Sequence, residues 1–147
     1  MKKAFTPLQQ LQALHLEHLK RKHPTFPEHS LPKKRYGQKS ANEITKAVID
    51  FLTFSGHYVT RIQSQGQYRP GIGWTRGTTK KGTADVHAII NGRHFSIEVK
   101  AGKDKMSAEQ KKSQQEVERA GGIWLTIKSF DEFYEYYTGF ILRGGGA

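Results

Sequence analysis

Asp85, Glu98 and Lys100 lie in two β-rich runs, 83–90 (TADVHAII) and 93–100 (RHFSIEVK), on either side of Asn91-Gly92. Asn-Gly between such runs is the strongest short hairpin signal, because both central residues of the tight turn take positive φ. A two-residue turn sets Ile90 against Arg93, His87 against Ser96 and Asp85 against Glu98. Alternation then puts Ala84, Val86, Ala88, Ile90, Phe95, Ile97 and Val99 on an apolar face. Thr83, Asp85, His87, Ile89, His94, Ser96, Glu98 and Lys100 share the other. Two carboxylates therefore oppose each other at the end away from the turn, with an ammonium beside them. At ~5 Å and an effective dielectric of ~20, their repulsion costs about 3 kcal/mol. A divalent cation held by both removes that cost, and hard oxygen ligands with retained waters suit Mg²⁺ or Mn²⁺. A solvated polar face on which Lys100 neutralises the pair has the same spacing, so the pattern alone leaves both open.

The surrounding sequence supplies the elements that position these groups. A helix is expected over about 41–55, with Ser40 and Glu43 as an S-x-x-E capping box, Ile44, Ala47, Val48, Phe51 and Leu52 as its apolar stripe, and Gly56 as its stop. Residues 57–63 (HYVTRIQ) read as a strand, and 64–82 as a long loop rich in Gly, Gln, Thr and basic residues. After the hairpin, a helix over about 108–120 opens on a second capping box, Ser107 and Gln110, and stops at Gly121-Gly122. Residues 123–128 (IWLTIK) read as a buried strand, and Ser129 and Glu132 open a last helix to about 138. The expected fold is α/β: a four-stranded mixed sheet with a central hairpin, flanked by helices.

Charge divides the chain. Residues 1–39 hold nine Lys/Arg and two Asp/Glu, a net of +7, against +4 for the rest. The expected division is a basic extension (1–39) of one helix and an irregular linker, a domain over 40–140, and a disordered tail (141–147). Thr6 caps the extension's helix, Pro7 suits its first position, and Phe5, Leu8, Leu11, Leu16 and Leu19 fall in one arc. A formal charge of +11 calls for a polyanionic partner. The absence of cysteine excludes disulfides, thiolate zinc sites and cysteine nucleophiles. No apolar run approaches the roughly 18 residues of a membrane span, and the MKK start leads into Gln, His and Glu rather than a secretory signal. A soluble, cytoplasmic protein without a membrane partner is expected.

GTAD (82–85), IEVK (97–100), KMSAEQ (105–110) and AGG (120–122), in that order and with a hairpin between the first two, resemble the PD-(D/E)XK nuclease superfamily. The likeness covers about residues 40–130 and is nearest the virus-type replication-repair nuclease branch (VRR-NUC), related to archaeal-type Holliday junction resolvases. It implies a restriction-endonuclease-like αβββαβ core and Mg²⁺-dependent hydrolysis of DNA phosphodiesters in repair or recombination, leaving a 5′-phosphate and a 3′-hydroxyl. It also implies roles. Asp85, Glu98, the backbone carbonyl of Val99 and Glu43 would hold the metal, Lys100 would activate the attacking water, and Gln110 would orient the lysine or the substrate. Ala84 departs from the superfamily's proline. A branched junction has two-fold symmetry, so a homodimer is expected on it.

Around the acidic pair, Arg69, Arg76, Thr78, Thr79, Lys80, Lys81 and Lys103 are the expected DNA contacts, offering cations and hydroxyls where a phosphate could approach. Tyr68 and Trp74 either stack on unpaired nucleotides or anchor the loop to the core. Glu43 and Gln110 each also fit a purely capping role. His87 and His94 share the acidic face but read as bystanders, and His15, His18, His23 and His29 are too loosely spaced for zinc. Trp124, Tyr134, Tyr136 and Tyr137 read as packing. Rival functions are a flap or single-strand exonuclease, a restriction-type endonuclease, and a non-catalytic basic DNA-binding module; a membrane-surface protein would need a cationic amphipathic helix that the domain lacks.

Overall fold

The computed structural model describes residues 3–62, 66–75, 77 and 79–145. In chain order the elements are α1 (Pro7–Lys22), α2 (Ala41–Phe54), β1 (Tyr58–Arg61), β2 (Gln67–Arg69), β3 (Gly73–Thr75), β4 (Val86–Ile90), β5 (Arg93–Val99), α3 (Ala108–Arg119), β6 (Ile123–Ile127) and α4 (Phe130–Leu142), with a short 3₁₀ turn at Glu28–Ser30. The main sheet has the order β1-β4-β5-β6. β1 and β5 run antiparallel to β4, and β6 runs parallel to β5, so the sheet is mixed with the β4–β5 hairpin at its centre.

The hairpin register is the one the Asn-Gly turn dictates: Val86 faces Ile97, His87 faces Ser96 and Ile90 faces Arg93. Asn91 and Gly92 have φ of 49° and 79°, the paired positive values of the tight turn. The apolar face of the hairpin is fully buried, with Val86, Ala88, Ile90, Phe95 and Ile97 all 1% exposed or less. It packs in one core with Ile44, Val48, Phe51 and Leu52 of α2 and Phe130, Phe133 and Phe140 of α4. Tyr134 and Tyr137 pack edge-on against Phe51, and Tyr136 against Phe95, as the packing role requires.

Three expectations are corrected. Residues 1–39 are no appendage. Thr6 and Gln9 form a capping box that starts α1, and Leu11 is completely buried in the same core as α2 and α4. Phe5, at the open end of the leucine arc, stays exposed. The segment after α1 is irregular but tied down: Lys34 and Tyr36 both bind the Asp50 carboxylate on α2, and the Gln38 amide exchanges two 3.1 Å hydrogen bonds with Asp131 at the start of α4. Charge made this region look separate, whereas one leucine stripe with a partner helix integrates it.

Second, the stretch expected as a bare loop carries its own two-stranded sheet, β2 paired with β3. Pro70-Gly71 makes the turn, closed by a 3.1 Å bond from the Ile72 amide to the Arg69 carbonyl. Proline then glycine at the two central positions is a strong turn signal in its own right. Third, α4 runs on to Leu142, and the Gly144 and Gly145 amides donate to the carbonyls of Ile141 and Phe140, where a disordered tail was expected. The end of a helix leaves carbonyls without partners, and these glycine amides take two of them.

Candidate active site

The site is built where β4 begins and β5 ends. The strands diverge past Val86, and the two acidic side chains complete the pairing that the backbone gives up. The Glu98 carboxylate accepts the Asp85 amide through Oε2 at 3.2 Å, and Asp85 Oδ2 accepts the Val99 amide at 2.9 Å. Each carboxylate is thus fastened to the other's strand. On its far side the Asp85 carbonyl accepts the Ile62 amide at 2.8 Å, which ties the end of β1 to the same point.

Glu98 is 3% exposed, far below a solvated face. α3 covers this side of the sheet, and its first turn reaches the carboxylate. Gln110 accepts the Ser107 amide through Oε1 at 2.9 Å, closing the helix cap, and donates from Nε2 to Glu98 Oε1 at 2.6 Å. Capping and contact with the acid, which the spacing set as alternatives, are met by one amide. Lys100 Nζ lies 3.1 Å from the same Glu98 oxygen, and its side chain is only 15% exposed. Burial and the nearby Asp85 charge push the Glu98 carboxyl above its ordinary range, and Lys100 opposes them.

Gly82 makes this docking feasible. A Cβ there would lie 2.3 Å from the Glu109 carbonyl oxygen, and its φ of +77° favours glycine. The loop before Asp85 is pinned to α3 at two further points: the Ser113 hydroxyl donates to the Lys81 carbonyl at 3.4 Å and Lys80 pairs with Glu116; within the loop, Thr83 Oγ1 donates to the Lys80 carbonyl at 2.6 Å.

Glu43 stands apart from this arrangement. Its amide donates to Ser40 Oγ at 3.2 Å, and its exposed carboxylate accepts the Lys39 amide at 2.9 Å. Among the described residues, no three or more His, Asp or Glu side chains gather as a metal cage. The donors brought together are therefore Asp85 and Glu98, with the end of β5 at Val99 beside them. That set is too sparse for a closed four-ligand zinc site. It fits Mg²⁺, which is commonly held by one or two carboxylates, waters and substrate phosphates. Both carboxylates carry charge-assisted bonds that fix their orientation; Glu98 Oε1 is taken by Gln110 and Lys100, while Glu98 Oε2 and Asp85 Oδ2 each accept one backbone amide and keep a lone pair for a cation.

Of the expected DNA contacts, Arg69, Lys81 and Lys103 are exposed. Lys80 is engaged by Glu116, and Thr79 is half-buried in the same loop. Arg76 and Thr78 lie outside the described residues. The structure adds a feature the spacing did not single out. A cleft of about 280 Å³ lies between α3 and the acidic face, lined by His87, His94, Ser96, Ser113, Val117 and Trp124. The two imidazoles are 5.1 Å apart, burial lowers the pKa of both, and His94 Nε2 bonds Ser96 Oγ at 2.9 Å. Alternation placed these residues on one face; the helix that roofs them could not be read from it. His15 and His18 pack against Phe54, and Trp124 is 7% exposed, as packing roles require.

No protein-family model matches the sequence, and no curated protein matches it. No helix among the described residues is long and apolar enough to cross a membrane.

Proposed function

We propose that this chain is a Mg²⁺-dependent deoxyribonuclease of the PD-(D/E)XK type, nearest the VRR-NUC and Holliday junction resolvase-like branch, that cuts branched DNA. One observation carries the proposal: an almost fully buried Glu98 faces Asp85, with Lys100 and Gln110 both directed at its carboxylate. Asp85, half-buried, and Glu98, almost fully buried, repel each other at a cost to stability. Cation-assisted phosphoryl chemistry requires them.

Asp85, Glu98 and the Val99 carbonyl would hold the ion. When bound, it supplies Lewis-acid polarisation of a phosphoryl oxygen and a more acidic water. Lys100 orients the attacking water and offsets charge on the transition state. Gln110 holds Glu98 in the rotamer that points toward Asp85, acting as a positioning residue. Water attacks phosphorus in line and the P–O3′ bond breaks, the O3′ leaving group taking up a proton, so that a 5′-phosphate and a 3′-hydroxyl result and no covalent enzyme intermediate forms. Exposed Arg69, Lys81 and Lys103 take phosphates. On a two-fold junction, two copies would each cut one strand. Glu43 caps α2 and lies outside the reacting set.

A non-catalytic DNA-binding module is the second reading, favoured because no third acidic group joins the pair among the described residues. One experiment separates the two. Labelled junction, flap, duplex and single-stranded DNA are incubated with the protein, with and without Mg²⁺. Metal-dependent cleavage by the wild type, absent in Asp85→Asn while DNA binding persists, supports the nuclease. Binding without cleavage in Mg²⁺ or Mn²⁺ leaves the binding module.

A further inference from the structure

The β2–β3 hairpin presents its aromatic residues to solvent. Tyr68 and Trp74 are direct cross-strand partners, so their rings share one face, 6.0 Å apart. Trp74 is 79% exposed, Tyr68 62%, and Ile72, at the turn, 72%. A ring that anchored this loop to the core would be buried, so anchoring is excluded for both. The strands pair only with each other among the described strands. A two-stranded hairpin is marginal in water by itself, and exposing three large apolar side chains on it gains the fold nothing.

Charge identifies what would cover them. The 34 residues from 51 to 84 contain no Asp or Glu and five Lys/Arg: Arg61, Arg69, Arg76, Lys80 and Lys81. Such a segment attracts polyanions and repels cationic partners. Nucleobases offer flat π-faces to exposed rings, and their phosphates complement the cations. The segment also ends at Asp85. Asp85 lies ten positions after Thr75, a reach of at most about 35 Å, or about one turn of duplex at 3.4 Å per step.

We propose that the β2–β3 hairpin is a stacking finger for unpaired nucleotides, with Tyr68 and Trp74 as the platform and Arg69 as a phosphate contact. It rests on the nuclease reading for its biological meaning, since it would direct the acidic pair to DNA where strands separate, and it is tested apart from cleavage. The protein has two tryptophans, of which Trp124 is nearly buried, so the emission of Trp74 reports on the hairpin. The full chain is titrated in EDTA with a dT oligonucleotide and with a blunt duplex of equal length. Stacking quenches emission with dT, and Trp74→Ala abolishes that response. Trp74→Ala and Tyr68→Ala each weaken dT binding about tenfold or more, leave duplex binding within about twofold, and leave the melting temperature unchanged, as exposed positions allow. Wild-type affinity for dT in both variants overturns the proposal. So does a wild-type dimer, seen by sedimentation, that Trp74→Ala dissociates, since the hairpin would then serve self-association. Quenching by dT in a protein that cuts nothing in Mg²⁺ retains the finger and removes the nuclease; cleavage with no quenching does the reverse.

Discussion

Replacing Asp85 by Asn should make the protein more stable without metal and insensitive to it. Asn keeps an oxygen for the Val99 amide, now 2.9 Å from Asp85 Oδ2, and removes one charge from the pair. At ~5 Å and a dielectric of ~20, the repulsion removed is about 3 kcal/mol. Lys100, 3.1 Å from Glu98, already offsets part of it. The partial exposure of Asp85 screens more, and a neutral oxygen is a weaker acceptor. The net gain is about 1 kcal/mol, or a melting temperature raised by about 3 °C in EDTA. Mg²⁺ at ten times its dissociation constant stabilises the wild type by about 1.4 kcal/mol and the variant by nothing. Thermal unfolding of both proteins, in EDTA and in Mg²⁺, measures all four states. A variant that keeps the full Mg²⁺ shift refutes the assignment of Asp85 to the ion.

Gln110→Ala removes the side-chain half of the capping box of α3 and the donor to Glu98, while the Ser107 hydroxyl still caps the helix; it should cost about 1–2 kcal/mol in stability and slow cleavage about tenfold, and single-turnover rates unaltered from wild type would contradict the positioning role. Leu11→Ala should cost about 3 kcal/mol, measured by urea unfolding, because α1 belongs to the core; a cost under about 0.5 kcal/mol would return residues 1–39 to the status of an appendage. The Glu98 carboxyl is raised above its ordinary value of 4.5. The folded state therefore holds this proton more tightly than the unfolded chain, and the stability it contributes is full below the unfolded value and fades as pH rises through the folded one. Mg²⁺ needs the ionised form, so the metal-induced rise in melting temperature should grow between about pH 5 and 8, and a shift that is flat over that range would show that Glu98 is not a ligand.

How far the sequence reveals the structure differs from one element to the next. Asn91-Gly92 with alternating runs on both sides fixes a register, and a register fixes faces, so the opposition of Asp85 and Glu98 follows from local rules alone. The capping signals at Ser40, Ser107 and Ser129 locate three helix starts for the same reason. Leu11 illustrates the limit: a stripe on a helix says that something is buried, and it takes the three-dimensional packing to say against what. The neighbouring basic runs argued for a separate arm, because charge density reports on solvation and carries no information on contact. Gln110 illustrates another limit. Its spacing from Ser107 predicts a cap, but a side-chain amide has a donor as well as an acceptor, and only the fold brings a carboxylate to the donor. Trp74 and Tyr68 could not be assigned from their neighbours, since aromatic residues among glycines suit burial and exposure equally.

The pleat of the β4–β5 hairpin places a parity rule on the chain. Glu98 is on the α3 side because it lies an even number of positions, two and four, along β5 from Ser96 and His94. Inserting one residue between Gly92 and Glu98, with the pairing otherwise kept, would swing the acid through the sheet into the phenylalanine-rich layer, while two inserted residues would return it. Functional relatives of this chain should therefore vary in hairpin length by pairs of residues.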